Sequence, residues 1–209
     1  NRMRGLVDDL LLLSQIESGQ VTMRHTHVDL QALLERTLGR FQWELRDGEI
    51  RSGISIDRLP AVQGDERRLE QAFSNLLQNA VRHTPTGGAI TVRGSVGHDG
   101  SVTVGVHNTG SFIPPGDLRR VFERFFQVDR ARARKGGSSG LGLAIVSEIV
   151  EAHGGAVSAT SAAATGTEFT ITLPPANAPD PRGNRAAADP DKASAPPAAT
   201  KPRPLTPNP

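Results

Sequence analysis

Arg68-Leu69-Glu70-Gln71-Ala72-Phe73-Ser74-Asn75-Leu76-Leu77-Gln78-Asn79-Ala80-Val81-Arg82-His83-Thr84-Pro85 reads as one amphipathic helix with a chemical oddity inside it. Leu69, Phe73, Leu76, Leu77 and Ala80 recur with the helical period and form an apolar stripe. Asn75, Asn79 and Arg82 follow i, i+4, i+7 and fall on a different face. Asparagine is a poor helix-interior residue, because its amide competes with the backbone for hydrogen bonds. Two of them about 6 Å apart along the axis, with a guanidinium one turn on, are costly unless they bind something. A magnesium ion carrying a phosphate chain suits neutral oxygen ligands beside a cation. A solvated polar face is the other reading of the same pattern.

Around this helix the chain alternates hairpins with helices. Asp65 is placed to cap it. Upstream, Asp29 can cap a helix whose apolar face holds Leu30, Leu33, Leu34, Leu38 and Phe41. Val21 to Val28 and Ile54 to Ile56 are strand candidates. Ala89 to Val96 and Ser101 to Val106 read as two strands around the turn Gly97-His98-Asp99-Gly100. A short helical piece is expected near Asp117 to Phe126. Leu141 to His153 is helical and stopped by Gly154-Gly155, and Ala156 to Thr160 and Glu168 to Leu173 follow as strands. The expected class is α/β (α+β), a two-layer sandwich of mixed sheet and helices, not a doubly wound sheet.

Glycine punctuates three loops. Gly136-Gly137-Ser138-Ser139-Gly140-Leu141-Gly142-Leu143 puts flexible residues directly before a helix, where bare amides and the helix dipole suit phosphate. It is not a Walker loop, which needs Lys-Ser/Thr where Leu143-Ala144 stand, nor a dinucleotide fingerprint, which needs glycine at Ile145. Gly136-x-Ser138-x-Gly140 matches the hydrolase elbow as a string, but Arg132-Ala133-Arg134-Lys135 precedes it instead of a buried strand. Asn108-Thr109-Gly110-Ser111-Phe112-Ile113 closes a strand, and Gly166-Thr167-Glu168-Phe169 opens the last one. Taken singly, each is more often just a turn.

Composition narrows the partners. Of 15 prolines, 11 lie at or beyond Pro174, in a run almost without large apolar side chains. Residues 175–209 therefore read as a disordered tail that cannot offset its ordering entropy. The tail holds five basic and three acidic residues, so the chain's net +2 resides there, and a nucleic-acid surface on the folded part is not indicated. No cysteine is present, which excludes disulfides and thiolate metal sites. No apolar run approaches a membrane span, so no direct membrane contact is expected. Met3, Leu6, Leu10 and Leu13 keep a 3-4-3 spacing before Gly19. Such a short helix must cover its stripe on a partner helix, on a second chain, or on the domain's own core.

In this order the segments resemble the ATP-binding catalytic domain of bacterial sensor histidine kinases, in the gyrase, Hsp90, histidine kinase and MutL superfamily (Bergerat-type ATP fold). Asn75-x-x-x-Asn79-Ala80 is similar to the family's N box, and Asn108-x-Gly110-x-x-Ile113 to its G1 box. Phe122-Glu123-Arg124-Phe125-Phe126 matches the F box, Gly140-Leu141-Gly142-Leu143 the G2 box, and Gly166-Thr167-x-Phe169 the last glycine box. Arg4-x-x-Val7-Asp8-Asp9-Leu10-Leu11 looks like the second helix of the dimerisation bundle. The implied domains are 1–19 for that helix, 20–174 for the ATP-binding domain, and 175–209 for the tail.

The resemblance implies Mg2+ on Asn79, assisted by Asn75, and ATP held by both with Arg82, His83, Asn108, Gly110, Ile113, Phe122, Gly140, Leu141, Gly142 and Thr167. Residues 109–140 would be the ATP lid, with Arg132, Arg134 and Lys135 on phosphate. It further implies a homodimer through the bundle, a response regulator receiver domain as partner, and a cytoplasmic portion of a protein anchored in the bacterial inner membrane. Two departures stand out. Asn108 replaces the usual aspartate that accepts from the adenine amine, as in a subgroup of metal-responsive sensor kinases; its oxygen still accepts, without charge. The phosphoacceptor context is absent around His25, His27, His83, His98, His107 and His153, so that histidine is expected upstream. Two other functions stay open: an ATP-hydrolysing member of the superfamily, and a nucleotide-binding regulatory module that has lost catalysis. Hydrolysing members carry glutamate where Asn75 stands.

Overall fold

A computed structural model of the chain describes residues 2–18, 23–56, 58–128 and 139–176. Arg132, Arg134, Lys135 and nearly all of the expected tail lie outside the described residues. Helix α1 (Arg2–Glu17) leads to β1 (Thr26–Val28), α2 (Leu30–Gly39), α3 (Gln42–Asp47), β2 (Arg51–Ile56) and β3 (Val62–Gly64). Then come α4 (Glu66–His83), β4 (Ala89–Val96), β5 (Val102–Asn108), a 3-10 turn at Arg120–Phe122, α5 (Gly142–Ala152), β6 (Ala156–Ala162) and β7 (Gly166–Leu173). The main sheet has the order β2-β4-β5-β7-β6. β2 pairs parallel with β4 and the other neighbours are antiparallel. The expected mixed sandwich is what forms.

Alternation along the strands decides which side carries helices. Ile90, Val92, Val102, Val104, Val106, Phe169, Ile171 and Leu173 are all buried, while Thr91, Arg93, Thr103, Glu168 and Thr170 between them are not. Register keeps the apolar set in rows: Val92 faces Val106 and Val106 faces Phe169, and Val104 faces Ile171. One face is thus apolar, and α4 and α5 cover it. Leu69, Ala72, Phe73, Leu76, Leu77 and Ala80 of α4 are buried there. Phe73 is fully enclosed, so Phe73→Ala should cost about 3–5 kcal/mol through lost transfer energy and a residual cavity. Urea unfolding reads this; a loss below about 1 kcal/mol would mean that α4 does not carry the core.

Caps form where expected. The Asp29 carboxylate accepts from Ala32 N–H and that of Asp65 from Arg68 N–H. Asp65 also accepts from Arg24 N–H at 3.1 Å, and its own N–H donates to His153 Nε2 at 2.9 Å. His153 is buried at the end of α5, with Nδ1 on the Ile149 carbonyl. Its ring is a strut between the end of α5 and the start of α4, with both nitrogens engaged by backbone.

Several boundaries differ from expectation. The helical piece at Asp117 to Phe126 shrinks to the three-residue 3-10 turn, because Pro114-Pro115 and the extended Glu123 leave no room for a longer run. Among the described residues of the expected Val21 to Val28 strand only Thr26–Val28 is strand, pairing with a β3 too short to show alternation, and Val21 and Thr22 lie outside the described residues. α2 ends at Gly39, so Phe41 precedes the unforeseen α3. α1 divides its apolar residues: Leu12, Leu13 and Ile16 are buried and the helix packs on α5, while Met3, Val7, Leu10 and Leu11 stay exposed. The domain's own core therefore takes the last turns of that stripe, with Leu6 partly buried against it, and leaves Met3 and Leu10 outside.

Candidate functional site

Four short backbone approaches gather the scattered boxes at one end of the sandwich. Asn75 Nδ2 on α4 donates to the Gly142 carbonyl at 3.1 Å, joining the asparagine face to the start of α5. Gly110 has φ +84°, and a Cβ there would collide with the ring of Pro85, two residues past α4. Gly166 has φ +100°, and a Cβ there would run into the Asn108 carbonyl and Thr109 Cα. Phe125 donates its N–H to the Gly140 carbonyl at 2.8 Å from a left-handed φ of +61°. Phe122 meets Phe169 edge to face at 6.1 Å, anchoring that turn on the sheet.

α5 begins without a side-chain cap, since Leu141 at its N-cap has no polar group. The Leu141 side chain is fully buried, so only its backbone can serve a ligand, and its N–H is taken by Ser139 Oγ at 3.2 Å. The first amides of α5, beside Asn75, make the local environment favourable to anions. Asn79 stands one turn beyond Asn75 and is half-buried. Arg82 and His83 occupy the exposed last turn of the same helix.

At the far side the strand ends line up in one row, apolar at β4 and polar beyond it. Ile90, Asn108, Thr167 and Ser161 are consecutive cross-strand partners in β4, β5, β7 and β6. Asn108 is 1% exposed and its Oδ1 has no hydrogen-bond partner. Its Nδ2 is occupied, donating to Ser111 Oγ at 2.9 Å and to the Thr109 carbonyl at 3.3 Å. A buried acceptor left open costs about 1–3 kcal/mol unless a ligand donor meets it. Ile113, nearly buried, gives its N–H to Ser161 Oγ at 2.9 Å.

Residues 64–177 match the family model described as histidine kinase-, DNA gyrase B-, and HSP90-like ATPase. The chain belongs to that ATPase family. Sensor histidine kinase CusS of Escherichia coli K12 is 42% identical over 173 residues, which is 83% of this chain and 35% of CusS. The chain thus spans about a third of that relative's length. Full-length ShkA in complex with AMPPNP superposes with TM-score 0.74 at 31% identity, covering 83% of this chain and 36% of ShkA. The nucleotide-free catalytic domain of histidine kinase ThkA gives TM-score 0.65 at 28% identity, covering 73% of this chain and 96% of that domain. This is the ATP-binding catalytic domain type of sensor histidine kinases.

Of the residues singled out from sequence, this ATPase domain brings Asn75, Gly142, Gly140 and the F-box turn together, and separately Asn108, Gly110, Ile113 and Thr167. Ser111 and Ser161 were not singled out. The alternation of β6 places Ser161 on the Asn108 side, and Ser111 stands three residues after an asparagine, an offset at which side chains often hydrogen-bond locally. Among the described residues no cluster of three His, Cys, Asp or Glu could hold a metal. The donor set nevertheless fits magnesium, which keeps several water or phosphate ligands and needs few from protein. With Nδ2 of Asn75 committed to Gly142, its Oδ1 is the atom left for that task.

Proposed function

We propose that this chain is the catalytic region of a sensor histidine kinase, binding Mg-ATP and passing the γ-phosphoryl group to a histidine on a helical bundle. A response regulator aspartate then receives it. The observation that carries this reading is the Asn75 amide bridging α4 to the first carbonyl of α5. It supports a site in which asparagine oxygens would meet a metal beside the uncapped first turn of α5 for phosphate, the electrostatic machinery that phosphoryl transfer requires.

In this reading Oδ1 of Asn79 and Asn75 hold magnesium, which neutralises charge on the phosphates when bound. The α5 amides and Arg82 orient the phosphate chain, and Asn108 Oδ1 accepts from the exocyclic amine of adenine. Asn75 also favours transfer over hydrolysis. A glutamate there could activate water, but it has no proton to give the Gly142 carbonyl. The exposed Met3, Val7, Leu10 and Leu11 of α1 supply the face for a dimeric bundle. No helix among the described residues is long and apolar enough to cross a membrane. The domain would work on the cytoplasmic side of a membrane sensor.

Mixing the chain with γ-labelled ATP, magnesium and a separately purified bundle carrying the acceptor histidine tests the proposal. Acid-labile label on the bundle is expected. Release of free phosphate alone would point to hydrolysis and defeat it.

A further inference from the structure

An asparagine in place of a carboxylate brings an ambiguity. A carboxylate offers only acceptors, whereas an amide turned over by half a rotation offers a donor instead. A site that uses Asn108 to recognise a 6-amino purine must therefore hold the amide one way round. We propose that a chain of hydroxyls, Ser111–Thr167–Ser161, fixes the Asn108 amide with Oδ1 towards the base and so makes Ser111 a positioning residue for nucleobase selectivity. This rests on the reading of Asn108 as the base contact.

The proton inventory around the Asn108 amide sets its direction, although between Ser161 and Thr167 either hydroxyl can donate and Ser161 can also donate to the Gly166 carbonyl at 3.4 Å. Asn108 Nδ2 has two protons, and two acceptors face it: Ser111 Oγ and the Thr109 carbonyl. Ser111 Oγ can accept because its own proton goes to Thr167 Oγ1 at 2.9 Å. Thr167 Oγ1 in turn lies 3.2 Å from the Ser111 carbonyl, a backbone acceptor for its proton. Ser161 Oγ closes the chain at 2.8 Å from Thr167 Oγ1 and is itself held by Ile113 N–H at 2.9 Å. Turning the amide over would set Oδ1 against the Thr109 carbonyl, and Ser111 could meet it only by withdrawing its proton from Thr167 Oγ1. It would also leave the two Nδ2 protons pointing where a purine's 6-substituent arrives. The observed orientation leaves one unmet group, the buried Oδ1, and a 6-amino group supplies the donor it lacks.

Without the Ser111 hydroxyl only the Thr109 carbonyl, at the longer distance, opposes the turn. The turned amide donates to a 6-oxo purine. Inosine triphosphate, with a carbonyl oxygen where ATP has its amine, is therefore the probe.

The test is calorimetric affinity of the full chain for ATP and for inosine triphosphate with magnesium. The unaltered chain should prefer ATP by roughly 10-fold or more, the value of one mismatched buried hydrogen bond. Ser111→Ala should cut that preference to about a third or less, by losing ATP affinity while gaining inosine triphosphate affinity. Ser111→Thr should restore it. In an Asn108→Asp background, where no donor can be turned in, Ser111→Ala should leave the preference unchanged. Should S111A melt early, Ser111→Cys, a weak acceptor of similar size, takes its place. Equal loss for both nucleotides in S111A, or loss of preference also in the N108D background, would make Ser111 merely structural and overturn the inference while leaving the kinase reading intact. An unaltered chain that binds neither nucleotide would overturn the kinase reading, and this inference with it.

Discussion

Asn79→Ala is expected to weaken magnesium-dependent ATP binding roughly 100-fold, the scale of losing one directly placed polar partner in a preorganised charged site. The same change should leave the fold intact or slightly firmer. Asn79 is half-buried in the interior of an eighteen-residue helix, where alanine is the better helix former by a few tenths of a kcal/mol. A gain in melting temperature together with a loss of binding is the signature of a residue kept for its ligand. Calorimetry with magnesium and with chelator separates the effects: the two proteins should differ with magnesium and converge without it. Equal affinity in both conditions would remove Asn79 from the site.

Gly166→Ala should be the most damaging single methyl in the domain. Two penalties act together there. The left-handed φ of +100° disfavours any side chain, and the added Cβ would press on the Asn108 carbonyl and Thr109 Cα, backbone atoms that cannot swing aside. The strands must part where Asn108 faces Thr167, so stability should fall by about 3 kcal/mol or more. Nucleotide binding should be lost even at temperatures where the variant is folded. Chemical denaturation and calorimetry on the same sample check both halves. Gly116→Ala, with open space around it and an ordinary φ, is the matched control and should change neither.

The fold was legible wherever long elements carried a clear period. The stripe of α4, the capping aspartates at 29 and 65, and the alternation of β4, β5 and β7 each depend on neighbours close in sequence. β3 and α3 were not legible, because three and six residues are too few for either period to show. The turn at Arg120–Phe122 was legible only as a longer helical piece. Its order comes from tertiary contacts, Phe122 on Phe169 and Phe125 N–H on the Gly140 carbonyl, which no local pattern encodes. α1 shows the same limit: its stripe announced an apolar face but not that Leu13 and Ile16 would be buried, with the helix packed on α5, while Met3 and Val7 remain outside.

The site was legible as a set of motifs and illegible as a network. Asn75 and Asn79 stood out because asparagine is unfavourable inside a helix, and Asn108 because it departs from the family's aspartate. What the sequence could not state is which atom of each amide is already committed. Nδ2 of Asn75 is spent on Gly142 and Nδ2 of Asn108 on Ser111, and it is the proposed function that gives their oxygens to a ligand. Those commitments join residues 67 and three positions apart, and only the folded chain brings the first pair together.

Titration of ATP into the full chain, once with magnesium and once with chelator, is the most direct measurement of whether these boxes form one nucleotide site. Saturable one-to-one binding that weakens markedly when magnesium is removed is the predicted result. An absence of ATP binding under both conditions, from a chain that still unfolds cooperatively, would contradict it.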